Sequence, residues 1–285
     1  MRKIIDTHLH TWSLDKFDYY WLKNDTSILG RNYELEEIEP QIENAGVSAA
    51  ILVQATNQIA ESNWLLQLAE HYSWILGAVV WLPLAQPNEV EKLLKVYKTN
   101  PFFKGVRHQI HDEQNPEWLL QTPVLESLHL LAENHIPYDL VGINHHHIDT
   151  AIKVAEKVPD LRMVFDHLNQ LPVGDNMPYK IWSQLLEEAS KHPNFYAKIS
   201  GMGTAINKGL TWNAKDIELY LQFVFNCFGT NRVFCGGDWP VSLLAGSYEY
   251  TWLQYQKVID TLLSTEQQEQ VYHKNAEHFY QVKHF

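Results

Sequence analysis

Eight short apolar runs, each followed by a stretch of helical periodicity, constrain the fold of this chain more than any other feature. The runs cover residues 3–10, 47–54, 75–82, 102–107, 136–141, 161–165, 195–199 and 232–235. VSAAILVQ and ILGAVVWL are apolar at nearly every position rather than at alternate ones, the pattern of strands buried on both faces of a parallel sheet. Helices are predicted over 34–45, 60–72, 88–98, 116–134, 147–157, 179–191 and 217–228, and two more, 248–263 and 265–282, close the chain. Strands alternating with helices, with no linker between them, predict a (β/α)8 barrel. At 285 residues the chain suits one such domain, 1–285, whose usual length is about 250 residues. An open doubly wound sheet is the alternative, but no Gly-x-Gly-x-x-Gly follows the first strand.

A barrel of this kind carries its chemistry at the carboxyl ends of the strands. The predicted strand ends supply His8 and His10, Arg107 and His108, Asp166 and His167, Lys198 and Ser200, and Asp238. His8 and His10, two residues apart on a strand, share a face and can converge on one ion. With 15 histidines in the chain a chance pair is common, so the pair takes its weight from its partners. Three imidazoles (His8, His10 and His167) with Asp238 could hold a borderline divalent ion such as zinc and leave a position open for water. Without an ion, the histidines and Arg107 could stabilise an oxyanion; in either version Asp238 is the candidate general base. Both lead to hydrolysis of an electrophilic carbonyl by activated water. There is no Gly-x-Ser-x-Gly elbow and neither cysteine lies in a nucleophile motif, which argues against an acyl-enzyme.

Other residues have structural readings. Asp6 is expected to bond backbone, and Lys198 to pair with a carboxylate inside the barrel; Asp139, Asp166 and Lys198 carry no assigned role. His145, His146 and His147 are read as a loop and helix start, with at most one ring reaching the pocket. The aromatic segment 11–31, with Trp12, Tyr19, Tyr20 and Trp21, is either a lid or surface packing. A net charge of −12 excludes nucleic acid or an anionic membrane as the main partner. Cys227 and Cys235 read as buried thiols in a reducing compartment. With no apolar leader before the first strand and no apolar span of about 20 residues, a cytoplasmic protein is expected.

Taken together, Asp6-Thr7-His8-Leu9-His10 with Trp12, Gly105-Val106-Arg107-His108, Phe165-Asp166-His167-Leu168 and Gly236-Gly237-Asp238-Trp239-Pro240 resemble the amidohydrolase superfamily. Their order and spacing are most similar to the amidohydrolase-related sugar-lactonase branch, which includes L-fuconolactone and L-rhamnonolactone hydrolases and, more distantly, pyrone and muconolactone-type lactonases. The resemblance implies a distorted (β/α)8 barrel and a catalytic constellation of His8, His10, His167 and Asp238, the same four being the ligands of a bound metal. It implies substrate contacts from Arg107, His108 and His147, with Trp12 and Trp239 at the mouth. The family's bridging lysine or glutamate and its further metal histidine have no counterpart here, which leaves a single divalent ion, zinc first, or metal-free catalysis. The expected reaction is opening of a sugar-acid lactone; metal-dependent decarboxylation of an unsaturated carboxylic acid, hydrolysis of a pyrone or muconolactone-type lactone, and a non-catalytic ligand-binding barrel are the alternatives. The substrate's identity and the oligomeric state, a homo-oligomer included, stay open.

Overall fold

A computed structural model describes residues 2–173 and 179–282. Its strands are β1 (Ile5–Leu9), β2 (Ala49–Val53), β3 (Ile75–Val80), β4 (Phe103–His108), β5 (Tyr138–Leu140), β6 (Met163–Phe165), β7 (Phe195–Ile199) and β8 (Val233–Cys235). They form one sheet in chain order, each strand parallel to the next. The backbone closes the ring: Asp238 N donates to His8 O at 2.7 Å, and His10 N donates to Trp239 O at 2.7 Å. The barrel read from the sequence is the barrel observed.

The surrounding helices are α1 (Leu35–Asn44), α2 (Ile59–His71), α3 (Pro87–Tyr97), α4 (Thr122–Glu133), α5 (His145–Lys157), α6 (Tyr179–Ser190), α7 (Met202–Ile206), α8 (Ala214–Phe228) and α9 (Tyr248–Leu262). Most boundaries differ from the sequence reading by a residue or two, and the short α7 is an addition to it; three helix starts have a local reason. The segment predicted as one helix over 116–134 has a 3-10 turn at Trp118–Leu120 and an extended Gln121, and α4 starts only where Pro123 fits the first turn. Asn144 starts α5 two residues early by accepting from the N–H groups of His146 and His147. A reciprocal cap between Asn213 and Asp216 likewise advances α8. The last predicted helix is divided into α10 (Thr265–Glu269), a π-turn (Gln270–Lys274) and α11 (Asn275–Phe279).

Alternation along the strands sorts the side chains into two apolar clusters. Met163, Phe165, Phe195, Ala197 and Ile199 point out and pack in the large cluster beneath the helices. Ile5, Ile51, Val53, Val79, Val164, Tyr196 and Phe234 point in and fill the lower barrel, where Ala276, Phe279 and Tyr280 plug it. Above this apolar layer the inward positions on β5, just past β6 and on β7 are Asp139, Asp166 and Lys198, all fully buried. Charge begins where the apolar filling stops, and that level supports the mouth. No helix among the described residues is long and apolar enough to cross a membrane.

Candidate active site

His8 and His10 meet edge to face, ring centroids 4.8 Å apart, with their Nε2 atoms separated by 3.1 Å. His10 Nδ1 lies 2.8 Å from Val53 O; a carbonyl only accepts, so Nδ1 carries the proton and Nε2 presents a lone pair. Burial holds both imidazoles well below the usual histidine range, and Arg107 adds to this at His10. Asp238 follows β8 in a left-handed conformation (φ 57°). Its Oδ1 lies 3.8 Å from His8 Nε2 and 3.6 Å from His10 Nε2. Gly236 permits this approach: a Cβ there would sit 2.4 Å from His8 Cβ. Burial pushes the Asp238 carboxyl well above its ordinary range; Arg107 opposes that, and Asp166 and Asp6 reinforce it.

The donor atoms of His8, His10 and Asp238 all lie within 4.8 Å of one another. Two nitrogens each about 2.0–2.1 Å from a tetrahedral zinc stand roughly 3.3 Å apart, close to the observed Nε2 separation of 3.1 Å. Two neutral imidazoles and a carboxylate therefore fit a borderline divalent ion, which would also relieve the repulsion of facing lone pairs.

His167 stands beside this trio, its ring centroid 4.5 Å from that of His8. It opens a run of four left-handed residues, His167, Leu168, Asn169 and Gln170, with φ between 53° and 63°. Non-glycine residues adopt this region only when their surroundings fix them. Here Trp182 Nε1 donates to Leu168 O, and Asn169 Nδ2 donates to Asn144 O, both at 3.0 Å. Ser200 Oγ accepts from His167 N at 3.2 Å and bonds His167 Nδ1 at 2.9 Å. Burial lowers the His167 ring to about 4.

Arg107 points into the barrel. Its Nη1 is 3.3 Å from Asp166 Oδ2 and 3.4 Å from His8 Nε2, and its Nη2 donates to Gln54 O at 2.5 Å. Asp166 Oδ1 is 2.8 Å from Lys198 Nζ and 3.5 Å from His8 Nδ1. Lys198 also pairs with Asp139 Oδ2 at 2.6 Å, and Tyr280 OH donates to the same oxygen at 2.7 Å. Burial alone would raise Asp166, but Lys198, His8 and Arg107 outweigh it and hold the carboxyl well below its usual range. Burial likewise pulls the Lys198 ammonium down, and Asp139 and Asp166 more than offset it.

The remaining candidates lie elsewhere. His108 faces away from Arg107: Trp81 Nε1 donates to its Nδ1 at 2.9 Å, its Nε2 donates to Glu113 at 2.8 Å, and its ring stacks on Trp118. Trp12 is wholly buried against Tyr19, Trp21 and Tyr33, its Nε1 bonded to Arg31 O. Trp239 is also wholly buried, against Tyr33. His147 is buried in the first turn of α5, where Nδ1 accepts from Ile143 N. Segment 11–31 is tied across the strand ends by Trp21 Nε1 to Ala55 O, Thr56 Oγ1 to Asp18 O, and a bond from Tyr20 OH to Asp112. Asp6 accepts from His8 N, Gly237 N and Tyr248 OH, the backbone-bonding part expected of it. Lys198 pairs with carboxylates inside the barrel, as expected, and the structure identifies them as Asp139 and Asp166; sequence reasoning missed the closeness of Gly201 to His167 and Asp238. Asp139 had a readable signal, a carboxylate in the middle of an otherwise apolar strand.

A family model described as amidohydrolase matches residues 5–282. An L-fucono-1,5-lactonase from Burkholderia ambifaria is 28% identical over 282 residues, spanning 98% of this chain and 95% of the relative. An L-fucono-1,5-lactonase from Burkholderia multivorans is 28% identical over 253 residues, 86% of this chain and 84% of that one. A zinc-bound amidohydrolase structure from B. multivorans superposes with a TM-score of 0.87 at 25% identity, covering 98% of this chain and 99% of its own. The family match runs from the first strand to the residues that plug the barrel, and it brackets the His8–His10–Asp238 trio. The chain belongs to the amidohydrolase family.

Proposed function

We propose that this chain is a lactonase that opens a sugar-acid lactone of the L-fucono-1,5-lactone type to its hydroxy acid. The observation that carries this reading is the alignment of nearly the whole chain with a relative of that name; the gathering of His8, His10 and Asp238 at the strand ends agrees with it. Water adds to the lactone carbonyl carbon as Asp238 takes a proton from it. The ring C–O bond then breaks, and the departing oxygen takes up a proton. With the Ser200 hydroxyl donating to His167 Nδ1, 2.9 Å away, the ring keeps an Nε2–H. His167 thus serves as a neutral donor to the carbonyl oxygen rather than as a metal ligand, and Arg107 adds positive charge on the same side. A divalent ion held by His8, His10 and Asp238 supplies a Lewis acid; zinc suits this donor set and is the ion in the related structure.

A pH-indicator assay with L-fucono-1,5-lactone and a panel of sugar-acid lactones tests the proposal. Acid release above the spontaneous rate is expected, with kcat reduced by about 10²–10⁴-fold in Asp238→Asn. No release above that rate from any lactone, or wild-type turnover by Asp238→Asn, overturns it. The same assay after chelation and zinc add-back tests the ion.

A further inference from the structure

Glu61, in the first turn of α2, is a fully buried carboxyl with no part in the chemistry set out above. It accepts from Ala55 N at 3.1 Å through Oε1, and through Oε2 from Ala55 N at 3.2 Å and Thr56 N at 3.3 Å. Burying a carboxyl is costly, and a serine or asparagine in the loop could satisfy two such N–H groups without that cost. The geometry points to Glu61 as a positioning residue: it fixes two successive peptides beyond β2, one of which aims Arg107 into the site while the other holds segment 11–31 across the strand ends.

A peptide unit is planar, so fixing its N–H also fixes the direction of the carbonyl on its other side. The N–H of Ala55 belongs to the peptide whose carbonyl is Gln54 O, and Gln54 O accepts from Arg107 Nη2 at 2.5 Å. The Gln54 side chain braces the same partner, its Nε2 donating to Arg107 O at 3.3 Å. On the other arm of the guanidinium, Nη1 donates to Asp166 Oδ2 at 3.3 Å. The next peptide repeats the pattern. Its N–H is that of Thr56, held by Glu61, and its carbonyl is Ala55 O, which accepts from Trp21 Nε1 at 2.8 Å and from Gln109 Nε2 at 3.2 Å. The site and the segment that crosses it thus hang from one carboxyl.

Hydrogen–deuterium exchange read by mass spectrometry tests the assignment. In the wild-type protein the Ala55 and Thr56 amides, though in a loop, are expected to exchange at least about 10²-fold more slowly than free-peptide amides. Exchange at the free-peptide rate overturns the inference whether or not any variant folds. In Glu61→Leu, which keeps the bulk and removes the acceptors, exchange over 54–56 and within 11–31 is expected to rise about tenfold with α8 unchanged. Unchanged exchange in either segment, or an equal rise throughout the chain, overturns it. The kinetic arm rests on the lactonase reading. Glu61→Leu is expected to lose about 10²-fold in kcat, with KM raised severalfold as Arg107 leaves its place. Glu61→Gln, whose one oxygen can take both N–H groups as Oε2 does, is expected to restore most of the turnover; a Gln variant as impaired as the Leu variant overturns the inference. A helix-capping role alone predicts a lower melting temperature with kcat and KM unchanged in the folded fraction, and that result overturns it too. If the wild-type protein opens no lactone, the functional reading fails and the exchange data alone decide this one.

Discussion

At the residue scale, the mouth depends on atoms that are missing as much as on those present. Gly201 is left-handed (φ 61°), and a Cβ there would sit 2.7 Å from His167 Nδ1 and 2.9 Å from Asp238 Oδ2. Gly201→Ala should fold, as its circular dichroism would show, and lose most of its lactone turnover because His167 and Asp238 are forced apart. Turnover within twofold of wild type would show that the two groups need not be so close. Residue identity was legible in the motifs, but side-chain direction was only partly so. Arg107 and His108 are neighbours on one strand, and period-two alternation requires that they face opposite ways. The resemblance implies substrate contacts from both; Arg107 turns inward, while His108 bonds Trp81 and Glu113 and stacks on Trp118. Trp12 and Trp239 invited a similar reading as mouth aromatics, and the sequence had no means of indicating that Tyr33 would bury both.

At the scale of elements, the joints between strands and helices hold much of the specific chemistry. Glu61, in the first turn of α2, is fully buried and accepts from Ala55 N and Thr56 N just beyond β2. Burial raises its carboxyl from an ordinary 4.5 to about 8 despite those two donors. Between these values the folded chain holds a proton that the unfolded chain has released, so this group's contribution to stability falls as pH rises through that window. Glu61→Gln, which keeps the acceptor oxygen and cannot ionise, should show a smaller drop in melting temperature between pH 5 and pH 8 than wild type; equal drops refute the assignment. Strand positions were legible because an apolar run of that length has few alternatives inside a barrel. Helix ends were less so: Asn144, Asn213 and Pro123 set them through single hydrogen bonds or one fixed dihedral, which periodicity does not register. The left-handed run His167–Gln170 was invisible for a related reason, since none of its residues is the glycine that would announce it.

At the scale of the whole molecule, the barrel is a column with an apolar base, a charged middle and a reactive top. Phe279 belongs to the base, packed on Tyr196 and Phe234 with ring centroids 4.7 and 5.3 Å away. Phe279→Ala should lower stability by about 3–5 kcal/mol, measured as a shift in the urea midpoint. An unchanged midpoint would mean that the plug adds nothing to the barrel. Tyr280, next in sequence, reaches from that base to Asp139. This arrangement also bears on synthesis: strand β1 and the seven strands after it are made before the residues that fill the space beneath them, Ala276, Phe279 and Tyr280. A chain cut before Ala276 would therefore carry every residue of the catalytic mouth on a barrel with an unfilled floor.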